Sequence, residues 1–272
     1  MTTIAASGVQ AIPHESDFQT LKRWQTWSDT AFWVLFVCSI LPPLSSLIQL
    51  EGFEGLITLS SFLSFVLIPV YFILEIVCDR YYIAAEYTRR KGFIDNSFGS
   101  KLTGKDANGY FSNESHTPTF YKAAVNTFES CHFTYHISSE MLKSTGIKNL
   151  LFFIAFLCVA YLGSDKNPLI APLMQGLLSG YFLKKLIDAY FFNSRLGEIL
   201  ESFKVFFNGL TRREFGAADV PVSLKLIMDY ETNLAHGKFK SDSVIYFRLK
   251  DQLSAGWKQM KAYYDIEKPE KV

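Results

Sequence analysis

Of the 27 lysine and arginine residues in this 272-residue chain, 26 fall on one side of a set of apolar blocks. The blocks cover residues 31–50, 56–78, 149–163 and 168–183. Lys22 and Arg23 precede the first block, nine basic residues separate the second from the third, and fifteen follow from Lys184 to the end. The connection EGFEG carries only Glu51 and Glu54, and SDKNP holds the one remaining cation, Lys166. A soluble chain has no reason to sort its charges so, whereas a chain threaded through a bilayer keeps Lys and Arg on the cytoplasmic side. The expected fold is therefore all-α and integral to the membrane. Four transmembrane helices form two hairpins, helices extend from them into a cytoplasmic helical layer, and both termini are cytoplasmic. This divides the chain into a first hairpin with an interfacial lead-in (1–78), a cytoplasmic segment (79–148), a second hairpin (149–192) and a cytoplasmic tail (193–272).

Composition decides less, since a soluble protein can also be 49% hydrophobic. Cys38 and Cys158 sit inside apolar blocks, Cys78 and Cys131 fall on the cytoplasmic side, and no CxxC occurs, so reduced or buried thiols are expected. The first block starts at residue 31 without a small-residue cleavage site, which reads as a retained span rather than a signal peptide.

The stretch from Pro168 to Phe192 is the most informative span. Asn167 suits an N-cap and Pro168 the first helical position. Its uncharged part, Pro168 to Leu183, covers only roughly 24 Å of a hydrocarbon layer of about 30 Å, so Lys184 and Lys185 must snorkel at the inner edge. Gly176 and Gly180, with Ser179 beside them, permit close helix approach, and Gln175 and Glu75 are the polar positions that a path across the membrane would use. Pro42-Pro43 should kink the first span or end it early. Phe18, Leu21, Trp24 or Gln25, and Ser28 recur at helical spacing, with Trp24, Trp27 and Trp33 as interfacial anchors. Past Cys78 the helix is expected to continue and to break near Gly92, placing Arg89, Arg90 and Lys91 at its end. Helical pattern resumes at Phe120, Gly146 separates it from the third span, and the fourth helix runs to about Gly209. Two tail helices follow, the second capped by Ser241 or Asp242.

Catalytic signatures are missing. Gly99 to Lys105 matches G-x-x-x-x-G-K, but Asp106 stands where Mg²⁺ binding needs Ser or Thr, so a solvated turn is expected. His132 and His136 share a helix face with no second pair elsewhere, which favours packing over zinc. Asn113 opens a glycosylation sequon on the cytoplasmic side and is discounted. Lys101, Lys105, Arg212 and Arg213 are candidate contacts to phosphate groups, either of a ligand or of lipid headgroups. No enzyme activity, catalytic residue, metal or cofactor is expected, and no nucleic-acid polymer as partner.

The organisation resembles the four-transmembrane effectors that accompany bacterial cyclic-oligonucleotide synthases in anti-phage defence. The shared features are Ile12-Pro13 leading into a helix with Gln19 and Lys22, two hairpins some 70 residues apart, AAEYTRRKGFIDNSFG with its acidic Asp95, and a closing SDSVIYFRLKDQLSAGW with Tyr246 and Arg248. ESCHFTYHISSEM departs from the family's more aromatic, arginine-rich segment. The resemblance implies a non-enzymatic effector of the bacterial inner membrane. It would be a homo-oligomer that opens or disrupts the bilayer when a cyclic oligonucleotide or a phage protein triggers it. Two other readings stand beside it: a constitutive channel or transporter subunit, and a membrane-anchored partner for another protein.

Overall fold

The computed structural model describes residues 15–48, 52–104, 111, 113–163 and 170–266, without most side chains between 145 and 183 or near the end of the first helix. All regular structure among them is helical: α1 (Glu15–Ile48), α2 (Glu54–Phe98), α3 (Phe120–Gly163), α4 (Ile170–Leu210), α5 (Val220–Gly237) and α6 (Ser243–Tyr263), with a 3₁₀ turn at Ala217–Asp219. Asn167 and Pro168, the expected start of the fourth span, lie outside the described residues.

The first two helices form an antiparallel hairpin whose contacts step along both at intervals of three and four. Leu21 packs with Cys78 and Tyr82, Trp24 stacks on Tyr81 at 6.0 Å, Ser28 meets Glu75, and Phe32 meets Tyr71 at 5.7 Å. This is the spacing that keeps one helix face turned to a single neighbour. Pro42-Pro43 does not end α1, which runs on to Ile48, and the Ser45 hydroxyl donates to the Pro42 carbonyl at 2.8 Å.

Among the described residues one helix, α2, is long and apolar enough to cross a membrane, and only 6% of its apolar window is buried inside the fold. The core helix of a soluble protein would be mostly covered. At 45 residues α2 measures about 67 Å, more than twice a hydrocarbon layer. The expected break at Gly92 does not occur. Interior glycine costs only about 1 kcal/mol, and the flanking Phe93, Asp95, Asn96 and Ser97 are all buried. Arg89, Arg90 and Lys91 therefore lie within the helix instead of capping it. The end comes at Gly99, whose φ of 67° is the left-handed conformation that glycine adopts without steric cost.

Gly146 likewise lies inside α3 rather than separating two helices: a Cβ there would stand 3.2 Å from Leu186 Cδ1, so the glycine allows α3 and α4 to approach. The expected divisions at 78/79, 148/149 and 192/193 all fall within unbroken helices, so the segments on either side of each are continuous pieces of backbone. α3 to α6 enclose the main core. Phe128 stacks on Phe203 and Phe207 at 5.5 and 5.2 Å, and Trp257 of α6 meets it edge-on at 5.3 Å. Asp242 caps α6, accepting from the amides of Val244 and Ile245.

Candidate functional site

Where α2 leaves its apolar section, Tyr82, Glu86 and Arg89 follow at intervals of four and three and share one face. That face meets the tail. Tyr82 Oη donates to the Leu234 carbonyl at 3.1 Å, and burial pushes its phenol up. Arg89 donates through Nε and Nη2 to Glu86 at 3.0–3.1 Å and through Nη2 to Glu231 of α5 at 2.6 Å; Arg90 Nε reaches the same Glu231 at 3.1 Å. Burial works against the Arg89 charge, but Glu231 and Glu86 more than offset it and hold the guanidinium above its ordinary range. Two further ties flank this network. Lys238 pairs with Asp79 at 2.7 Å, and Lys22 donates to Ser243 at 3.1 Å. Lys238 itself adopts a left-handed φ of 43°, which ends α5 and turns Phe239 onto Phe192 at 5.2 Å.

A cleft of about 640 Å³ opens beside the network. Phe18, Phe111, Phe133, Tyr230, Phe239 and Tyr246 supply aromatic walls, Ser130, Thr134, Ser241 and Ser254 hydroxyls, and Glu86, Arg89 and Glu129 the charges. The volume suits a small molecule. Its lining carries more acid than base, which suits a flat, hydrogen-bonding ligand better than a multiply charged one.

Glu75 faces the hairpin partner and accepts from Ser28 Oγ at 2.5 Å. Neighbouring Asp29 has its carboxyl pushed up by burial, with Lys185 pulling it down. Gln175, Gly176, Ser179 and Gly180 lie on the helical backbone of α4, their side chains outside the described residues. Lys105 is also outside them. Lys101 and Arg212 are exposed, while Arg213 grips Asp219 through both Nη atoms at 2.5 and 2.6 Å and thereby fixes the 3₁₀ turn.

Asp95 has a structural role. Its carboxylate accepts from the Ser100 and Thr103 hydroxyls and the Leu102 and Thr103 amides at 2.6–2.8 Å, folding the glycine-bracketed loop back over the end of α2. Although burial opposes its charge, these bonds hold the carboxyl at about 2. Next to it, Asn126 donates to Asn96 and Ser97, and Asn113 donates to Asn126 and Glu129, a buried amide ladder between α2 and α3. His132 and His136 lie 4.7 Å apart, ring to ring, against α6, and burial pushes His132 down to about 4, with His136 adding to the shift. Among the described residues no three His, Cys, Asp or Glu side chains converge on a metal position.

Sequence reasoning missed the Arg89 network. Glu86 and Arg89 were legible as an i, i+3 pair, but Glu231 stands 142 positions further on, and no local pattern links them. No protein-family model, curated protein or solved structure matches the chain.

Proposed function

We propose that the protein is a non-enzymatic effector of the bacterial inner membrane. In this reading it spans the bilayer four times with both termini inside, assembles as a homo-oligomer, and opens or disrupts the membrane when its cytoplasmic helices receive a signal. The observation that carries the reading is α2: one unbroken helix is apolar and uncovered over its first half and ion-paired to the tail through Arg89 and Arg90 over its second. A change in α5 thereby bears on α2 directly, and the same helix carries it toward the membrane, with Pro69 as the one proline inside it. The cleft beside Arg89 is the candidate place for the trigger, because a ligand there touches α1, α2, α3, α5 and α6 together. Its charge favours a ligand other than a free polyphosphate. The resemblance to defence effectors supplies the biological setting, anti-phage abortive infection.

The test is induced expression in bacteria, with and without phage challenge, read by a potential-sensitive dye and by growth. Triggered depolarisation supports the effector. If cells neither depolarise nor slow under either condition, the effector reading fails. Steady conductance of the purified chain in liposomes without any trigger favours the constitutive channel instead.

A further inference from the structure

Along α2, Ile76, Ile83, Tyr87, Ile94 and Phe98 recur at intervals of seven and four, which keeps them within an arc of roughly 60° on the helix surface. All five are exposed, Ile83 at 66% and Tyr87 at 62%. Lipid suffices to cover the stripe as far as Ile76. Ile94 and Phe98, however, lie about 22 and 28 Å along the helix beyond Asp79, whereas the headgroup layer is only roughly 5–8 Å deep on each side. A soluble partner reaches only the inner part. An occupant that covers the whole stripe crosses the membrane and continues into the cytoplasm, as this chain does in the reading above.

The complementary surface is on α4. Tyr190, Phe191, Glu198, Glu201 and Val205 share its outward face, with Phe191 and Val205 65% and 73% exposed. Bonds within the subunit set the relative level of the two helices. Tyr82 binds the carbonyl of Leu234, and the adjacent Asn233 binds the carbonyl of Phe192, so Tyr82 and Phe192 lie at one height. Further in, Arg89 holds Glu231 while Arg195 approaches Asp229 at 4.0 Å. On this register Ile83 is level with Tyr190 and Phe191, Lys91 with Glu198 and Glu201, and Phe98 with Val205: apolar, then basic against acidic, then apolar. The intrahelical pairs Arg195–Glu198 and Lys204–Glu201 are exposed and worth little, so both carboxylates remain open to Lys91. Within a subunit α2 packs mainly on α1 and α3, and α4 on α3 and α5, so the two stripes belong to different flanks.

We propose that α2 of one copy lies along α4 of the next, in a head-to-tail ring about an axis normal to the membrane. Copies of one topology share their depth, so heights matched within a subunit remain matched between subunits, and a heterologous contact without rise along the axis forms a ring when its rotation closes. The inference rests on the membrane-spanning reading.

Cysteine cross-linking of the full chain in native membranes tests it. A Tyr87→Cys, Ser194→Cys double variant treated with a short bis-maleimide is expected to give a ladder of oligomers ending at a fixed size. Either single variant, which also carries the native cysteines, is expected to give none, and co-expressed singles are expected to give dimer alone. Lys91→Glu should lower the yield several-fold, and Glu198→Lys with Glu201→Lys should restore it. Cross-linking of Tyr87→Cys to itself, or a double variant that stays monomeric while the chain resists carbonate extraction, overturns the interface and leaves the spanning reading intact. Release of the chain by carbonate removes both.

Discussion

Replacing Arg89 by methionine removes the charge that binds α2 to α5. Glu86 and Glu231 are then left facing one another with only Arg90 between them, 4.0 Å from the first and 3.1 Å from the second. Removing one partner of a buried pair costs about 3–5 kcal/mol, most of it the penalty of the uncompensated charge. Arg90 is partly exposed and takes over some of the compensation, which puts the loss near the lower end, about 3 kcal/mol. For a chain of this size that corresponds to a fall of roughly 6–12 °C in Tm, measured by intrinsic fluorescence in detergent. The control is the triple variant Glu86→Gln, Arg89→Met, Glu231→Gln. With no charge left to strand, it should recover most of the loss. If Arg89→Met melts within about 2 °C of the parent, or the triple variant is no more stable than the single one, the buried network does not hold the tail to the hairpin as argued.

Asp95→Asn should cost on the order of 2 kcal/mol, since an amide cannot accept from four donors as a carboxylate does. The carboxyl is held at about 2, below its ordinary 3.8, so its contribution is complete above pH 3.8 and lost as pH falls through 2. Melting curves from pH 5 to pH 2 should show an acid-side loss in the parent that the variant lacks. Gly237→Ala puts a methyl group onto Cδ2 of the Phe192 ring and 2.8–2.9 Å from its Cε2 and Cγ, and Phe239 holds that ring in place. A loss of about 1–3 kcal/mol is expected, and Phe192→Leu in the same chain should relieve part of it; if the single and double variants melt alike, the contact is not the cause.

Helix positions were largely legible because amphipathic spacing and caps are local. Phe120, Asp242 and the end near Gly209 could be found from neighbouring residues alone. Breaks were not legible, because glycine and proline state only a cost. Whether Gly92, Gly146 and Pro42-Pro43 interrupt a helix depends on what packs against it, and for the two glycines that information sits in Phe93 and Leu186. The same distance from local pattern hid the site. Asp95 stood out as an acidic residue, yet its four donors come from the loop that follows, and Arg213 looked free until its partner Asp219 could be placed.

The amide ladder at the inner end of α2 governs how that helix can move. Sliding α2 by one turn, about 5.4 Å, would break the buried bonds that Asn126 donates to Asn96 and Ser97, so piston-like travel is opposed more strongly than pivoting about the ladder. From Asn96 to Glu54 the helix extends roughly 63 Å. A swing of about 5° at the ladder displaces the far tip of a straight helix of that length by roughly 5 Å, close to the width of a water molecule and its neighbour, so a small rotation at the ion-paired end is amplified at the apolar end, less what Pro69 between them absorbs.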